Sequence, residues 1–263
     1  MSGYKIIDSH AHIFPEKIAD KAVESIGGFY DLPMAHKGNI QALITSGNKI
    51  GVEKYLVFST ATTKEQVPAI NNFIYNACEE YKSFIGLGTL HPDMTDYKEE
   101  ISRMIDLGFK GVKLHPDFQR FYIDTSQMMP IYKALEESGL KLLCHVGDRR
   151  SDYSAPYRLA KVAQRFPKLQ VIAPHFGGWQ QWDEAMKYLA LPNVYFDTSS
   201  ALYTLNREQV MCLLKTLSSN KFFFGTDFPM WDHKEELERF LALELPYKIN
   251  EDILYNNFAQ LFL

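Results

Sequence analysis

Along the chain, short apolar runs alternate with longer segments in which apolar residues recur three or four positions apart. The short runs are rich in β-branched and aromatic residues and predict strands, whereas the longer segments predict amphipathic helices. The predicted strands span residues 4–9, 54–59, 84–90, 109–114, 140–144, 169–174, 194–197 and 222–225. The predicted helices span residues 38–50, 66–81, 97–107, 129–138, 156–166, 182–189, 207–217 and 234–243, and a last helix spans 251–262. The pattern therefore consists of eight strand–helix units and one extra C-terminal helix.

This regular alternation predicts the fold class. Strands separated by helices are typically parallel to one another and covered by the helices. Eight such units in 263 residues favour an α/β fold of the closed (β/α)8 type, a TIM barrel, over an open doubly wound sheet. A dinucleotide-binding sheet would carry GxGxxG after its first strand, and this chain has His10-Ala11-His12 there instead. Because no linker divides the chain, residues 1–263 are predicted to form one domain, with residues 13–37 as a long loop at the barrel mouth.

The first predicted strand leads into two histidines. His10 and His12 are two positions apart, and side chains two apart on a strand share a face. Ile6 and Asp8 belong to the same alternation, so all four side chains are expected to point into the barrel. Two imidazoles placed there can bind one ion. Taken alone, the pair could equally be two polar residues of a loop.

Further polar residues follow other predicted strands, at the end where barrel enzymes build their active sites. They are His115 after the fourth strand, His145 after the fifth, His175 after the sixth and Asp227 after the eighth. One such histidine is usually a packed core residue, but five histidines and an aspartate at one mouth indicate a metal site. Imidazole and carboxylate ligands suit Zn²⁺, and also Mn²⁺, Fe²⁺ or Co²⁺. We expect one divalent ion, with Zn²⁺ preferred, at a catalytic site with an open position.

Composition restricts the partners. The chain is 46% hydrophobic and 23% charged, as is usual for a globular protein, and its net charge of -4 argues against nucleic acid as a partner. The three cysteines form no paired motif, which favours a reducing compartment. Residues 1–5 lead straight into the first strand, and no apolar run reaches the roughly 18 residues of a membrane span. We therefore expect a cytoplasmic protein that acts on a small molecule and has no membrane partner; a homodimer is left open.

Several motifs occur in the order typical of one family. They are IIDSHAHIFP, GFKGVKLHP, LLCHVGD, APHFGGW, VYFDTSS and FGTDFP, with ILYNNFAQLF near the end. By these motifs the chain resembles the amidohydrolase superfamily. The nearer resemblance is to its amidohydrolase-related branch, which includes aminocarboxymuconate-semialdehyde decarboxylase. The resemblance covers nearly the whole chain.

The resemblance implies roles for the residues that match these motifs. His10, His12, His145 and Asp227 would bind the metal ion. His175 would be a catalytic histidine beside it, and Asp227 would also act in catalysis by moving a proton. In binuclear relatives, the position of His175 instead helps to hold a second metal ion.

The lysine of the KLHP motif bears on the number of ions. Binuclear relatives carry a carboxylated lysine on the fourth strand, but the KLHP form resembles the mononuclear branch, in which Lys113 would be an unmodified charge near the site. One ion is therefore expected. Lys113, His115 and Arg149 are candidate substrate-binding residues, since a guanidinium can bind a carboxylate through two hydrogen bonds. Arg149 could equally be a solvated loop charge.

Three functions are compatible with these features. The first is a metal-dependent hydrolase that activates water to cleave an amide, lactone or ester of a small anionic substrate. The second is a metal-dependent non-oxidative decarboxylase. The third is a barrel that has lost catalysis and only binds a ligand. The compact chain favours hydrolysis slightly, while the intact set of candidate ligands argues against the third function.

Overall fold

The computed structural model describes residues 3–263, and its strands alternate with helices throughout. The strands are β1 (Ile6–His12), β2 (Val52–Phe58), β3 (Phe84–Gly86), β4 (Gly88–Thr89), β5 (Gly111–Leu114), β6 (Lys141–Cys144), β7 (Val171–Ala173), β8 (Val194–Asp197) and β9 (Phe222–Phe223). The helices are α1 (Glu16–Tyr30), α2 (Ile40–Asn48), α3 (Val67–Glu80), α4 (Tyr97–Asp106), α5 (Pro116–Gln119), α6 (Met129–Ser138), α7 (Pro156–Arg165), α8 (Trp182–Tyr188), α9 (Arg207–Leu217), α10 (His233–Leu241), α11 (Tyr247–Glu251) and α12 (Asn257–Phe262). None of the helices in this part of the chain is both long and apolar enough to cross a membrane.

All of these strands pair in parallel, and together they form the predicted barrel. β1 to β3 make one sheet in chain order, and β4 to β9 make a second. Backbone bonds join the two sheets on both sides: Lys110 N–H donates to the Gly86 carbonyl (3.1 Å), and Ser9 N–H donates to the Phe224 carbonyl (2.9 Å). The (β/α)8 prediction is therefore confirmed.

The third barrel strand differs from its prediction. Residues 84–90 were expected to form one strand, but the strand is interrupted at Leu87, between β3 and β4. Beyond this break, the Asn71 side chain of α3 accepts from Thr89 N–H (2.7 Å) and donates to the Thr89 carbonyl (3.1 Å). A glycine on each side of Leu87 weakens regular pairing, and a helix side chain takes over part of the ladder.

Two apolar layers hold the barrel together. The outer one lies between the strands and the surrounding helices and includes Val57, Val112 and Phe196. The inner one fills the barrel and includes Leu56, Leu143 and Phe223. This alternation of neighbouring residues between the two layers follows from the two-residue period of a strand.

The chain ends in a helical plug, which we define as residues 247–262. It consists of α11, a π-helical turn (Asp252–Asn256) and α12. Phe258 and Phe262 belong to the inner apolar layer. Lys141, at the first position of β6, lies over the Phe262 ring at 5.1 Å. The plug therefore closes the N-terminal end of the barrel and leaves the opposite end free for a site.

The first loop contains a helix that the sequence analysis missed. Residues 13–37 were expected to form a loop, but α1 occupies most of this segment. Its apolar residues Ile18, Ala22 and Ile26 are spaced by four, a helical signal that was available in the sequence. As a result, the barrel mouth is covered by an amphipathic helix.

The sides of the barrel wall to which the β1 side chains point also differ from the prediction. Between Asp8 and Ala11 the strand advances three residues while β2 advances two, so a bulge reverses the alternation. Ile6 therefore lies in the outer apolar layer, whereas its neighbour Ile7 lies inside the barrel. The expectation that Ile6 and Asp8 share the face of His10 was wrong. Asp8 instead lies 3.0 Å from His233 at the start of α10.

Candidate metal centre and active site

One cavity at the C-terminal end of the barrel collects most of the predicted site residues. The volume between its side chains, including the part that is open to solvent, is about 470 Å³. It is lined by His10, His12, Ile26, Tyr30, Met34, Lys113, His115, Phe118, His145, His175, Trp179, Ser200, Asp227, Pro229 and Met230. The seven predicted site residues other than Arg149 are all in this lining.

Three side chains converge most closely within the cavity. Ligand atoms of His10, His175 and Asp227 all lie within 4.8 Å of one another, and together they could hold a metal ion. The Nε2 atoms of His10 and His12 lie 3.2 Å and 3.5 Å from Asp227 Oδ1. His145 approaches from the other side, with its Nδ1 atom 3.1 Å from His175 Nε2. The structure thus groups His175 with the predicted ligands.

His10 is oriented by a buried carboxylate at the end of β8. Its Nδ1 atom lies 2.7 Å from Asp197 Oδ2, and burial of both side chains is complete. Desolvation, which raises the pKa of Asp197, is outweighed by the neighbouring His10 and by hydrogen bonds from His10 and Ser199, and the pKa is lowered to about 2. The ionised carboxylate can only accept, so Nδ1 of His10 carries the hydrogen. Its Nε2 lone pair then faces the cavity, where it has no hydrogen-bond partner.

His175 is oriented in the same sense. Its Nδ1 atom lies 3.0 Å from the Ser199 carbonyl oxygen, which can only accept, so Nδ1 carries the hydrogen and Nε2 a lone pair. Asp197 also supports this turn by accepting from His175 N–H at 3.0 Å. The φ angle of His175 is +59°, a left-handed conformation that is uncommon outside glycine and typical of functional sites.

Asp227 is held by a chain of hydroxyl and indole donors. Ser200 Oγ–H donates to Asp227 Oδ2 at 2.5 Å, and Trp231 Nε1–H donates to Ser200 Oγ at 2.8 Å. Asp227 also has a left-handed φ of +59°. The surrounding imidazoles, His10 first, outweigh desolvation and hold the pKa of Asp227 well below its usual range. It is therefore a carboxylate at neutral pH.

Burial keeps the other cavity histidines neutral. It lowers the pKa of His12 and His175 to about 4, and it depresses the pKa of His115 and His145 well below 6.5. Neutral imidazoles are the form that binds metal ions. The cavity thus offers unprotonated nitrogens together with one anionic carboxylate.

Lys113 is the cation of the cavity. It lies on β5, its side chain is fully buried, and its Nζ has no hydrogen-bond partner. The ammonium group is 5.0 Å from the centre of the Phe58 ring. Desolvation, partly offset by the negative charges of Asp227 and Asp197, lowers the Lys113 pKa to about 8. The charged ammonium form of Lys113 therefore predominates at pH 7.

Aromatic rings form the outer wall of the cavity. His115 stacks on Phe118 with ring centres 3.7 Å apart, and Tyr30 packs edge to face on Trp179 at 5.0 Å. The Tyr30 hydroxyl lies 2.8 Å from His115 Nε2. Since Tyr30 is the last residue of α1, the covering helix supplies a polar group to the wall.

Arg149 does not reach the cavity. It is exposed, and its Nε–H donates to the Gln180 carbonyl. The neighbouring Arg150 pairs with Asp148 at 2.7 Å and lies over the Phe29 ring. The structure therefore leaves Arg149 as a loop charge, because the chain after β6 turns outward at these residues.

The structure adds residues that the sequence analysis did not assign. They are Tyr30, Asp117, Asp197, Ser199 and Ser200. Asp197 ends a predicted strand, so the rule that selected the histidines would have selected it too. The remaining residues are placed by contacts with distant segments, for which the sequence carried no local signal.

The donor set fits a divalent metal ion. Two histidines have fixed tautomers whose lone pairs face the same space, and a carboxylate completes the group. A buried imidazole nitrogen without a partner is costly, and a bound cation removes that cost. His10, His175 and Asp227, with His12 and His145 beside them, are the residues that would hold it.

The fold and this site define a barrel enzyme whose mouth can hold a metal ion. A family model described as amidohydrolase matches residues 7–263, and the chain belongs to this family. The resemblance inferred from the motifs is thereby confirmed.

Several solved structures share the whole fold. An uncharacterised TIM-barrel protein from Bordetella bronchiseptica is 20% identical, with a TM-score of 0.81 and 98% of each chain covered. A second structure is a 5-carboxyvanillate decarboxylase from Novosphingobium aromaticivorans, complexed with manganese and 4-hydroxy-3-methoxy-5-nitrobenzoic acid. It is 16% identical to this chain, with a TM-score of 0.78, and the match covers 99% of this chain and 96% of that one. A 2,6-dihydroxybenzoate decarboxylase from Rhizobium is 15% identical, with a TM-score of 0.74 and 98% of each chain covered. At these identities the likeness establishes the fold.

Proposed function

We propose that this protein is a metal-dependent, non-oxidative decarboxylase of a small planar carboxylic acid. The sequence analysis ranked hydrolysis first and decarboxylation second. Two of the similar structures are decarboxylases of aromatic acids, which supports the second function over the first. The observation that carries the proposal is the buried, unpaired ammonium group of Lys113 between the candidate metal ligands and an aromatic wall.

The position of Lys113 favours a substrate with a carboxylate. A buried cation without a hydrogen-bonded partner is unfavourable, and an anionic ligand would supply both the charge and the acceptor. The walls next to Lys113 include the rings of His115, Phe118 and Trp179. Flat, apolar walls favour a planar substrate body, such as an aromatic or enolic acid.

The residues of the cavity suit the individual steps of decarboxylation. A divalent ion held by His10 and Asp227 would withdraw electron density from a substrate oxygen as a Lewis acid. The bond between the carboxylate and its carbon breaks, the electron pair stays on that carbon, and CO₂ leaves. The same carbon then takes up one proton, ultimately from solvent. We assign Asp227 to relay this proton by taking it up from solvent and passing it to the carbon, with His175 as the alternative carrier where its Nε2 does not bind the ion.

We infer that the ion is Mn²⁺ or Zn²⁺. A mixed set of imidazoles and a carboxylate accepts either ion, and manganese is the ion named for the Novosphingobium decarboxylase. Zn²⁺ was preferred from the sequence and stays a prediction, as does the cytoplasmic location. The homodimer also stays open.

Hydrolysis is the second candidate. It is favoured by the unpartnered lone pair of His10 Nε2 next to the Asp227 carboxylate. This carboxylate could accept a proton from an attacking water and return it to a leaving group. Arg149, which the sequence analysis offered as a carboxylate ligand, lies outside the cavity, so an anionic hydrolase substrate would also depend on Lys113.

The two functions are separated by following the reaction in D₂O. Mn²⁺-loaded protein is incubated with a panel of hydroxylated aromatic carboxylates and, separately, with lactones and esters. We expect CO₂ release and one deuterium on the carbon that carried the carboxylate. Lys113→Met should raise KM for the carboxylates roughly 10- to 100-fold, since hydrogen bonds to charged groups contribute about 1.5–3 kcal/mol.

Lys141→Met is the matched control, because Lys141 lies on the neighbouring strand at the closed end of the barrel. It should leave KM unchanged. Turnover of lactones or esters without CO₂ release would replace decarboxylation by hydrolysis.

A further inference from the structure

We infer that Asp117 is a positioning residue that sets the tautomer of His145 and so turns its Nδ1 lone pair towards the metal centre. This inference rests on the metal-dependent function proposed above. Asp117 is the second residue of α5 and lies two positions after His115, the residue that follows β5. Asp117 would act through His145 rather than on the substrate.

The first observation is a pair of unsatisfied buried atoms that face each other. Asp117 Oδ2 and His145 Nε2 are 4.0 Å apart, and both side chains are at least 96% buried. Neither atom has a hydrogen-bond partner. A buried polar group without a partner costs about 1–3 kcal/mol, so this arrangement favours closing the gap. A shift of about 1 Å brings the atoms to hydrogen-bond distance.

The second observation is that the other oxygen of Asp117 is already bound. Ser151 Oγ–H donates to Asp117 Oδ1, which fixes the carboxylate from the side away from His145. His145 is likewise held in place, because its ring stacks on His115 with centres 4.0 Å and planes 7° apart. The contacts of Asp117 with Ser151 and of His145 with His115 therefore hold Asp117 Oδ2 and His145 Nε2 facing each other.

The third observation concerns the other nitrogen of His145. Its Nδ1 atom lies 3.1 Å from His175 Nε2, which carries a lone pair because His175 Nδ1–H donates to the Ser199 carbonyl. If His145 carried its hydrogen on Nδ1, it would donate to His175 and leave two acceptors opposed at Asp117. If it carries the hydrogen on Nε2, it donates to Asp117, and both imidazole lone pairs face the metal centre. A carboxylate at Nε2 selects the second tautomer, the form that binds a metal ion.

The test measures metal affinity and ligand geometry. Apo protein is titrated with Mn²⁺ in competition with a chelator, and with Co²⁺ while its visible absorption is recorded. We expect Asp117→Ala to weaken binding by 10- to 100-fold, as is usual for loss of a carboxylate behind a metal-binding histidine, and to change the Co²⁺ spectrum. Asp117→Asn keeps an oxygen acceptor of the same size, so it should restore part of the affinity.

Asp124→Asn is the control for loss of a partly buried carboxylate. Asp124 pairs with Arg158 and Lys161 and does not line the cavity, so affinity and spectrum should stay at wild-type values. Asp117 variants that are folded by circular dichroism and bind both ions as the wild type does would overturn this inference and leave the proposed function intact. Wild-type protein that binds neither ion would overturn both.

Discussion

At the scale of single residues, the candidate metal centre is organised by carboxylates that orient histidines. Asp197 illustrates this role, since it binds the His10 side chain, the His175 backbone and the Ser199 backbone at once. The result is a set of nitrogen lone pairs pointing into one space before any ion binds. Preorganisation of this kind strengthens both metal binding and catalysis.

Asp227 is the residue for which a substitution separates folding from chemistry. Asp227→Asn keeps the hydrogen bond from Ser200 but removes the negative charge and the ability to take a proton. We expect turnover to fall by roughly 10²- to 10⁴-fold, the range typical of lost acid–base assistance, with the fold unchanged. The measurement is the rate of CO₂ release at saturating Mn²⁺, together with circular dichroism. A folded variant with wild-type turnover would exclude Asp227 as the proton carrier and leave His175 as the candidate.

The predictability of the site also differs between residues. His10, His12 and Asp227 could be found from sequence because each stands at the end of a strand. Asp117 and Tyr30 could not, because their roles depend on contacts with His145 and His115 in other segments. The position of Arg149 outside the cavity has the same origin, since a loop's direction is set by packing that no local pattern encodes.

At the scale of elements, the bulge in β1 and the helix α1 are the main departures from the sequence pattern. A period of two assigns faces correctly only while pairing is regular, and one extra residue after Asp8 reverses the assignment. For α1, the apolar spacing indicates a helix, but residues 13–37 were expected to form a loop because they lie between two predicted barrel elements. Strand and helix order, in contrast, was predictable almost throughout, since each strand is a short apolar run between helices.

Helix α10 carries a buried acid that makes stability depend on pH. Glu236 is buried, its Oε2 has no partner, and desolvation raises its pKa from 4.5 to about 7 despite the neighbouring Arg239. Between about pH 4.5 and 7 the folded chain binds more protons at this site than the unfolded chain. The contribution of Glu236 to the free energy of unfolding is therefore complete below about pH 4.5 and is lost as the pH rises through about 7.

Glu236→Gln removes this titration. We expect the variant to gain stability relative to wild type as pH rises from 4.5 to 8, by up to roughly 3 kcal/mol, since one pKa unit corresponds to about 1.4 kcal/mol. Urea unfolding at several pH values measures the difference, with Glu238→Gln on the exposed side of α10 as control. A difference that stays constant over this range would show that Glu236 titrates normally.

At the scale of the whole molecule, we expect metal binding and folding to be coupled, because the candidate ligands come from strands at opposite sides of the barrel. An ion that binds only the folded chain stabilises it by about 2.7 kcal/mol at a concentration of 100 times Kd. For a chain of this size we expect Mn²⁺ to raise the melting temperature by roughly 5–10 °C.

Differential scanning calorimetry with and without Mn²⁺ measures this shift. The double variant His10→Ala/His12→Ala loses two of the candidate ligands and should show no increase in melting temperature. Equal shifts in the wild type and the double variant would place the ion elsewhere on the protein.

The helical plug has an evolutionary consequence. Because residues 247–262 seal the barrel end opposite the metal centre, the mouth loops are not needed to keep the apolar interior dry. Insertions in those loops can therefore alter which acid is accepted without exposing Phe258 or Phe262 to water. We therefore expect changes in the mouth loops to alter the accepted substrate, and changes in the plug to alter the stability of the barrel.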